Sequence, residues 1–320
     1  MNGTTKQLQN FSGTVNVSGT LRFSASTLGG AGNVNGSDNA LFKVTGFMST
    51  RNEGAVSLGA LSGNGTINGG SIADGNNPPG NTFTIGARGT DANFTGIIQN
   101  GSANAVSVVK TGSGIQTFSG ANLYTGTTSI NGGTLELPAT GSLASSAVAI
   151  SGGTLLLGGG TGDRLSNTGS VTLGNAASDS ILQLNNTVSE TAGPLSLSAG
   201  GAGRRVIDFG SVSGVLNFTS LLTNASPLQV WNWSGNVGTG GGTDQFIVNT
   251  TDSFSNVFFF SDSGVSPLGT AAFATANPGE LVPVPEPGAL FAGLALLAPL
   301  AWRERRQWIR CREARRMIPG

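Results

Sequence analysis

Side chains that could perform nucleophilic or acid–base chemistry are few in this chain, and their spacing does not group them. There is no histidine, which removes the commonest general base and the commonest metal ligand. The single cysteine, Cys311, lies in a basic segment near the end of the chain. No serine stands in a Gly-x-Ser-x-Gly context, and no Gly-rich phosphate loop is present. The sequence therefore predicts no catalytic nucleophile.

Acidic residues could supply a hydrolase or lyase site, as they do in some β-helix enzymes. Such a site needs carboxylates clustered on one face. The acids that we considered are Asp38, Glu53, Asp74, Asp91, Glu136, Asp163, Asp179 and Glu190. They lie singly along the chain, and none recurs at the period of the repeat described below. We therefore interpret them as solvated or turn-capping residues, and we predict no catalytic residue.

Two further patterns could bind a ligand. Calcium-binding repeats read GGxGxD, but the segments 159–163 and 241–244 miss that spacing, so the sequence predicts no metal site and no cofactor. Trp231 and Trp233 are candidates for stacking on a glycan, because alternation in a strand would point both indoles to one side. Burial of both rings against a β core is the interpretation that we favour.

Charge is sparse and unevenly placed. Charged residues make up 10% of the chain, against about 25% in ordinary domains. Residues 1–302 carry 9 basic and 14 acidic side chains, a net charge of −5, whereas residues 303–320 carry 7 Arg and 2 Glu, a net charge of +5. A basic tail that begins where an apolar run ends indicates membrane topology and not nucleic-acid binding.

The elements that must position these side chains are short strands. Alternating apolar runs separated by Gly and Asn turns predict them, although a disordered Gly/Ser/Thr chain is the alternative. Segment 130–137 reads INGGTLEL and segment 150–157 reads ISGGTLLL, at an offset of 20 residues. A further copy, 171–174, follows 21 residues after Ile150, and weaker copies occupy 17–23 and 212–218. A fixed period of this size is typical of a solenoid.

Each copy of the repeat has an inward and an outward side. Alternation places Leu135 and Leu137 on one side of a strand. One strand cannot bury that side alone, but stacked copies can. We therefore expect these leucines to be buried beside Leu155 and Leu157 of the next coil.

The segment 109–135 carries a family resemblance. It reads VKTGSGIQTFSGANLYTGTTSINGGTL and resembles the autotransporter-associated β-strand repeat, whose pattern is roughly KTGxGTLTLSGxNTYTGxTTINxGTL. The resemblance implies a right-handed parallel β-helix in a secreted passenger region. The sequence departs from the pattern at 115–118, where IQTF replaces TLTL, although strand alternation is kept there.

These patterns divide the chain into three parts. Residues 1–189 are predicted to form the β-helix, with the best copy of the repeat at 109–137. Residues 190–280 are predicted to form a C-terminal β segment that caps the solenoid, because an open end would expose strand edges. Residues 281–320 are predicted to form a sorting signal. The fold class is thus all-β, a right-handed parallel β-helix with a C-terminal β cap and one C-terminal hydrophobic helix.

The C-terminal part combines three features in order. They are the motif Pro285, Glu286 and Pro287, the uncharged apolar run 288–302, and the arginines Arg303, Arg305 and Arg306. This order resembles the PEP-CTERM sorting signal. The resemblance implies recognition and cleavage by an exosortase-type enzyme of the Gram-negative inner membrane. The arginines would stay cytoplasmic, and the helix of roughly 22 Å would be short for a hydrocarbon core of about 30 Å.

Together these features predict an exported, non-enzymatic structural or adhesive protein of the cell envelope, cell surface or extracellular space. Residues 1–36 lack the apolar run of a secretory signal peptide, so we expect the natural N-terminus to lie upstream. Two alternatives stay open, a carbohydrate-binding surface module and a fragment of a polysaccharide-degrading enzyme. The expected partners are the exosortase, the inner membrane and extracellular polysaccharide.

Overall fold

A computed structural model gives the fold over most of the chain. It describes residues 11–23, 36–50, 54–70 and 81–284, except residues 103, 161, 175, 212 and 253. Over these residues the chain forms 28 β-strands and no helix. The described pairings are parallel apart from three at the C-terminal end. The predicted all-β fold with long parallel sheets is confirmed, whereas the hydrophobic helix predicted at 288–302 lies outside the described residues.

A ten-stranded parallel sheet runs along the stack. In stacking order its strands are β1 (Thr14–Val17), β3 (Gly36–Val44), β5 (Ala55–Ser62), β7 (Asn81–Ile85), β10 (Val106–Lys110), β13 (Thr127–Ile130), β16 (Ala147–Ile150), β18 (Ser170–Leu173), β20 (Leu195–Leu197) and β23 (Leu221–Leu222). Strands adjacent in this sheet are not consecutive in the chain, because the chain makes a circuit through other strands before it returns. This arrangement is that of a solenoid.

A twelve-stranded sheet forms a second face. Its parallel strands, in chain order, are β8 (Ala92–Phe94), β11 (Ile115–Phe118), β14 (Thr134–Leu137), β17 (Thr154–Gly160), β19 (Ser180–Ala192), β21 (Arg205–Asp208), β22 (Gly214–Phe218), β24 (Leu228–Trp231), β25 (Gln245–Val248) and β26 (Val257–Phe260). Its two antiparallel strands, β27 (Pro267–Phe273) and β28 (Glu280–Val284), lie between β26 and β25. Two small sheets complete the coils. They contain β2 (Thr20–Arg22), β4 (Phe47–Ser49), β6 (Thr66–Asn68) and β9 (Ile97–Gln99), and β12 (Ala121–Asn122) and β15 (Ser142–Leu143).

The core lies inside the coils and follows the predicted alternation. Leu135 pairs with Leu155 and Leu137 pairs with Leu157 in adjacent coils, and all four side chains are fully buried. The prediction for these leucines is confirmed. Full burial of a leucine contributes about 1.5–3 kcal/mol relative to an exposed one, so stacked apolar ladders of this kind supply the main stabilisation of the fold.

The period is less regular than the sequence predicts. Ile150 pairs with Leu173, 23 residues later, whereas the sequence comparison aligned it with Val171 at an offset of 21. That alignment was wrong by two residues, and alternation could not reveal the error, because a shift of two residues keeps every side chain on the same face. Val171 faces the core beside Val148, and the longer turn between β17 and β18 takes up the added residues.

Glycine is required at the turn before β14. Gly133 has a φ of 59°, in the left-handed region that residues with a Cβ rarely adopt. A Cβ on Gly133 would lie only 2.5 Å from the carbonyl oxygen of Gly112 in the preceding coil. The Gly-Gly pair of the repeat therefore permits both the turn and the close stacking of consecutive turns.

The twelve-stranded sheet divides at the long strand β19. Residues 180–183 of β19 pair with β21, whereas residues 188–192 pair with β22. Parallel pairing thus continues past residue 190, through β24 and β26 on one branch and β25 on the other. The antiparallel strands β27 and β28 then join the two branches. Eight strands form a closed ring, so neither branch ends in an unpaired edge.

Candidate functional site

The tryptophan pair does not form an exposed binding platform. Trp231 is the last residue of β24, and Asn232 has a φ of 52°, which ends the alternation of the strand. Trp233 turns into the hydrophobic core and packs edge-to-face against Phe259, with ring centroids 5.2 Å apart. The prediction that both indoles point to one side was therefore wrong, because the strand does not continue through Asn232.

Trp231 is covered by polar neighbours and is 6% exposed. The guanidinium of Arg204 lies 4.6 Å from its ring centroid, and its indole N–H donates to Gln229 at 2.9 Å. Neither indole has a free face for a sugar, so the alternative of burial is the one that the structure supports.

The acidic side chains that the structure describes act mainly as links between coils. Asp91 accepts the backbone N–H of Ile115 at 2.8 Å, and Asp252 accepts that of Thr223 at 2.8 Å. The side-chain hydrogen bond from Arg204 lowers the pKa of Asp179. Each carboxylate satisfies backbone donors of the neighbouring coil at a turn. The interpretation as turn caps is confirmed for Asp91 and Asp179, and Glu53 and Asp74 lie outside the described residues. The interpretation was wrong for Glu190, whose side chain is buried and paired with Arg164.

A groove opens where β17 and β19 pair irregularly. Gly158 pairs with Asn185 and Gly160 pairs with Val188, so β19 has one more residue than β17 between these pairs and forms a β-bulge. The groove has a volume of about 500 Å³. Its lining residues are Glu136, Pro138, Ala139, Gly158, Gly159, Gly160, Asn185, Asn186 and Thr187. We call this feature the bulge groove.

A buried ion pair lies beside the bulge groove. Nη1 of Arg164 is 3.7 Å from Oε2 of Glu190, and each side chain is 1% exposed. The Glu190 carboxylate also accepts the backbone N–H groups of Arg164 and Leu165, each at 2.9 Å. Burial is the main influence on Glu190 and raises its pKa to about 7, although these donors and Arg164 oppose the shift.

Lys110 joins two turns of adjacent coils. Its Nζ donates to the carbonyl oxygens of Thr111 at 2.7 Å, Gly112 at 3.1 Å and Gly132 at 3.1 Å. Burial lowers the pKa of Lys110 to about 8, against a smaller opposing effect of Asp91. Sequence reasoning missed this role, although the lysine is part of the KTGxG pattern of the repeat.

Asn122 and Tyr124 hold the same coil from inside. Oδ1 of Asn122 accepts the N–H of Ile98 at 3.0 Å in the coil before, and its Nδ2 donates to the carbonyl of Ser142 at 3.4 Å in the coil after. The buried Tyr124 hydroxyl lies 2.7 Å from the Thr128 hydroxyl, and burial raises the pKa of Tyr124 well above its usual value. These side chains hydrogen-bond backbone and side-chain groups within the stack.

The comparisons with known proteins identify this coil. The sequence model of the passenger-associated-transport-repeat family matches residues 108–137. The chain carries a passenger-associated-transport-repeat. The match covers Lys110, Asn122 and Tyr124, whose contacts are described above. No curated protein and no solved structure matches the chain. The repeat is consistent with a surface or extracellular protein, as passenger regions are.

Gln116 explains the departure of this repeat from its family pattern. It occupies an inward position and is 2% exposed. Its Nε2 donates to the carbonyl of Leu61 at 2.9 Å, and its Oε1 accepts the N–H of Leu61 at 3.2 Å. Leu61 lies two coils away, beyond the short side chain of Ala92, which pairs with Gln116. The glutamine therefore satisfies the buried N–H and C=O of Leu61, with which a leucine side chain could not form hydrogen bonds.

We expect Gln116→Leu to destabilise the protein, although it restores the apolar residue of the repeat pattern. The substitution removes the hydrogen bonds from Gln116 to the buried N–H and C=O of Leu61. We expect the free energy of unfolding to fall by about 1–3 kcal/mol. Urea denaturation followed by circular dichroism measures this loss. Ile115→Leu, at the exposed position before Gln116 in the same strand, is the matched control. Equal stability of Gln116→Leu and the native chain would contradict the assignment.

The predicted sorting signal lies outside the part of the chain that the structure describes. This applies to Pro285, Glu286 and Pro287, to the apolar run 288–302, and to Arg303, Arg305 and Arg306. Within the described residues, no helix is long and apolar enough to cross a membrane, and no group of three or more acidic or cysteine side chains could hold a metal ion.

Proposed function

We propose that this chain is an exported, non-enzymatic surface protein whose solenoid projects from the envelope of a Gram-negative bacterium and serves a structural or adhesive role. The observation that carries the proposal is the passenger-associated-transport-repeat at residues 108–137. It forms part of a continuous stack of parallel coils. The family resemblance and the usual hand of parallel crossovers support a right-handed coil.

The dimensions of the stack suit a stalk. Adjacent strands in a sheet lie about 4.8 Å apart, so ten stacked strands extend roughly 43 Å. Each coil contacts its neighbours in the manner of other solenoids, and cohesion is distributed along the whole stack. A stalk of this kind holds its shape without disulfides, since the only cysteine of the chain is Cys311.

The non-enzymatic part of the proposal rests on how the polar side chains are used. Asp91 and Asp252 bind backbone N–H groups at turns, and Lys110 binds three carbonyls. Acid–base catalysis needs groups placed to meet a substrate. Side chains that are committed to the backbone of neighbouring coils are poorly suited to that task.

The anchoring part of the proposal rests on residues 285–320. The Pro-Glu-Pro motif, the apolar run and the arginine cluster have the order of a PEP-CTERM signal. An exosortase-type enzyme is the proposed processing partner, and the inner membrane holds the precursor with Arg303, Arg305 and Arg306 on the cytoplasmic side. The short helix gains from arginines that reach toward the headgroups.

Removal of residues 285–320 is expected to release the body as a soluble protein with unchanged β structure. The described core cluster extends from Val17 to Val282, so we expect it to form without the deleted part. The measurement is membrane fractionation of both forms in a Gram-negative host, with circular dichroism on the soluble product.

The control for the truncation is the double substitution of Pro285 and Pro287 by alanine. This variant keeps the apolar run and the arginines, so it should stay in the membrane fraction and resist processing. Equal partition of the truncated and full-length chains would overturn the anchor. Unfolding of the truncated chain would show instead that the tail belongs to the fold.

A further inference from the structure

The lining of the bulge groove combines apolar residues with polar ones. Gly158 and Gly160 form part of its floor, where the absence of side chains leaves space. Pro138 and Ala139 add an apolar border from the preceding coil. Small-molecule sites typically combine such an apolar surface with a few polar groups that fix orientation.

The polar groups come from the bulge of β19. Three consecutive side chains, Asn185, Asn186 and Thr187, are exposed there, whereas the residues before them alternate between buried and half-buried. Asn186 has a φ of 65°, which is unusual for a residue with a side chain. None of the three side chains makes a hydrogen bond within the described part of the chain. Their donors and acceptors are therefore available to a ligand.

Glu136 supplies the acceptor on the opposite wall. Its Oε2 accepts the hydroxyl of Thr117 at 2.7 Å, which fixes the carboxylate in place. Two amides, a hydroxyl and a carboxylate thus border one groove. This set can both donate to and accept from the hydroxyl groups of a sugar.

The guanidinium of Arg164, which is paired with Glu190, lies next to Gly160 of the groove. Nε and Nη2 of Arg164 are buried and have no hydrogen-bond partner among the described residues. Nη2 is 2.9 Å from the point at which a Cβ on Gly160 would lie. Because both nitrogens are buried, the polar contacts to a ligand come from the lining residues Asn185, Thr187 and Glu136.

We propose that the bulge groove is a binding site for a neutral saccharide chain. A hydroxyl-rich ligand fits the mixed donors and acceptors of Asn185, Thr187 and Glu136, and its apolar ring face fits Pro138 and Ala139. A polyanionic glycan is disfavoured, because the Glu136 carboxylate in the groove lining repels it. This inference does not depend on export or on anchoring.

The test uses the full-length chain in a zwitterionic detergent, because glycosidic detergents would compete for the site. Isothermal titration with cellohexaose, mannohexaose, maltohexaose and a galacturonic acid hexamer measures the affinities. We expect at least one neutral hexasaccharide to bind. Asn185→Ala and Thr187→Ala should each weaken that binding about fivefold, the effect of losing one hydrogen bond.

Asn64→Ala is the matched control, since Asn64 is an exposed turn asparagine outside the groove, and it should leave the affinity unchanged. Circular dichroism confirms that each variant is folded. Failure of all three neutral sugars to bind would overturn the proposal, as would binding that Asn185→Ala and Thr187→Ala leave unaltered. Binding of the galacturonic acid hexamer alone would also overturn it.

Discussion

Leu135→Asp is expected to abolish the stack of coils around the passenger-associated-transport-repeat. Leu135 is fully buried and pairs with Leu155 in the next coil. An aspartate there places a carboxyl group in an apolar ladder that offers it no partner, at a cost of several kcal/mol. A typical domain is stable by only about 5–15 kcal/mol. We therefore expect a large fall in the urea midpoint and loss of the β signal in circular dichroism.

Thr134→Asp is the matched control for this substitution. Thr134 precedes Leu135 in β14 but is only partly buried, on the outward side of the strand. The same new carboxylate there stays hydrated, and surface substitutions change stability by about 0.5 kcal/mol or less. Leu135→Ala should lie between the two, at about 2–5 kcal/mol. Similar losses for Leu135→Asp and Thr134→Asp would contradict a core on one side of the strand.

The regular part of this fold could be predicted because its signals are local and repeated. Alternation at Leu135 and Leu137 determines the inward face, and the Gly-Gly turn that contains Gly133 recurs at the same place in the next coil. An error of one residue in register would expose every apolar side chain of a strand. The sequence pattern therefore specifies the stacking strongly wherever it is repeated.

The irregular features could not be predicted because each depends on a contact between distant coils. Gln116 looks like an exception to the repeat until Leu61, 55 residues earlier, is found beside it. The bulge at Asn186 and the break at Asn232 both need a left-handed backbone at asparagine, which the sequence permits but does not require. The candidate groove arises from one of these irregularities, so no local sequence pattern predicts it.

The buried pair of Arg164 and Glu190 could likewise not be predicted, because its two members stand 26 positions apart and neither belongs to a repeated pattern. Glu190 has a pKa near 7 in the folded protein, against 4.5 without the fold. The folded state therefore holds the proton more tightly. Its stabilising contribution is complete below about pH 4.5 and is lost as the pH rises through 7. Glu190→Gln should remove this slope from the stability profile.

Arg164→Met should give the largest pH-dependent loss of stability in the protein. Methionine fills much of the same volume but leaves the Glu190 carboxylate buried without its cation, and breaking a buried pair in this way costs about 3–5 kcal/mol. The pKa of Glu190 should rise further, because the favourable charge of Arg164 is gone. At pH 5 the carboxyl group is protonated in both proteins and the loss is small, whereas above pH 7 the native carboxyl ionises and that of the variant resists ionisation, so the loss grows as the pH rises.

Urea denaturation of Arg164→Met at pH 5, 6.5 and 8 measures this difference. Arg204→Met is the matched control, because the Arg204–Asp179 pair is exposed and such pairs contribute about 0–1 kcal/mol. The double variant with Glu190→Gln should recover most of the stability at pH 8, since it no longer buries an unpaired charge. A pH-independent loss in Arg164→Met, or no recovery in the double variant, would show that Arg164 acts through packing and not through Glu190.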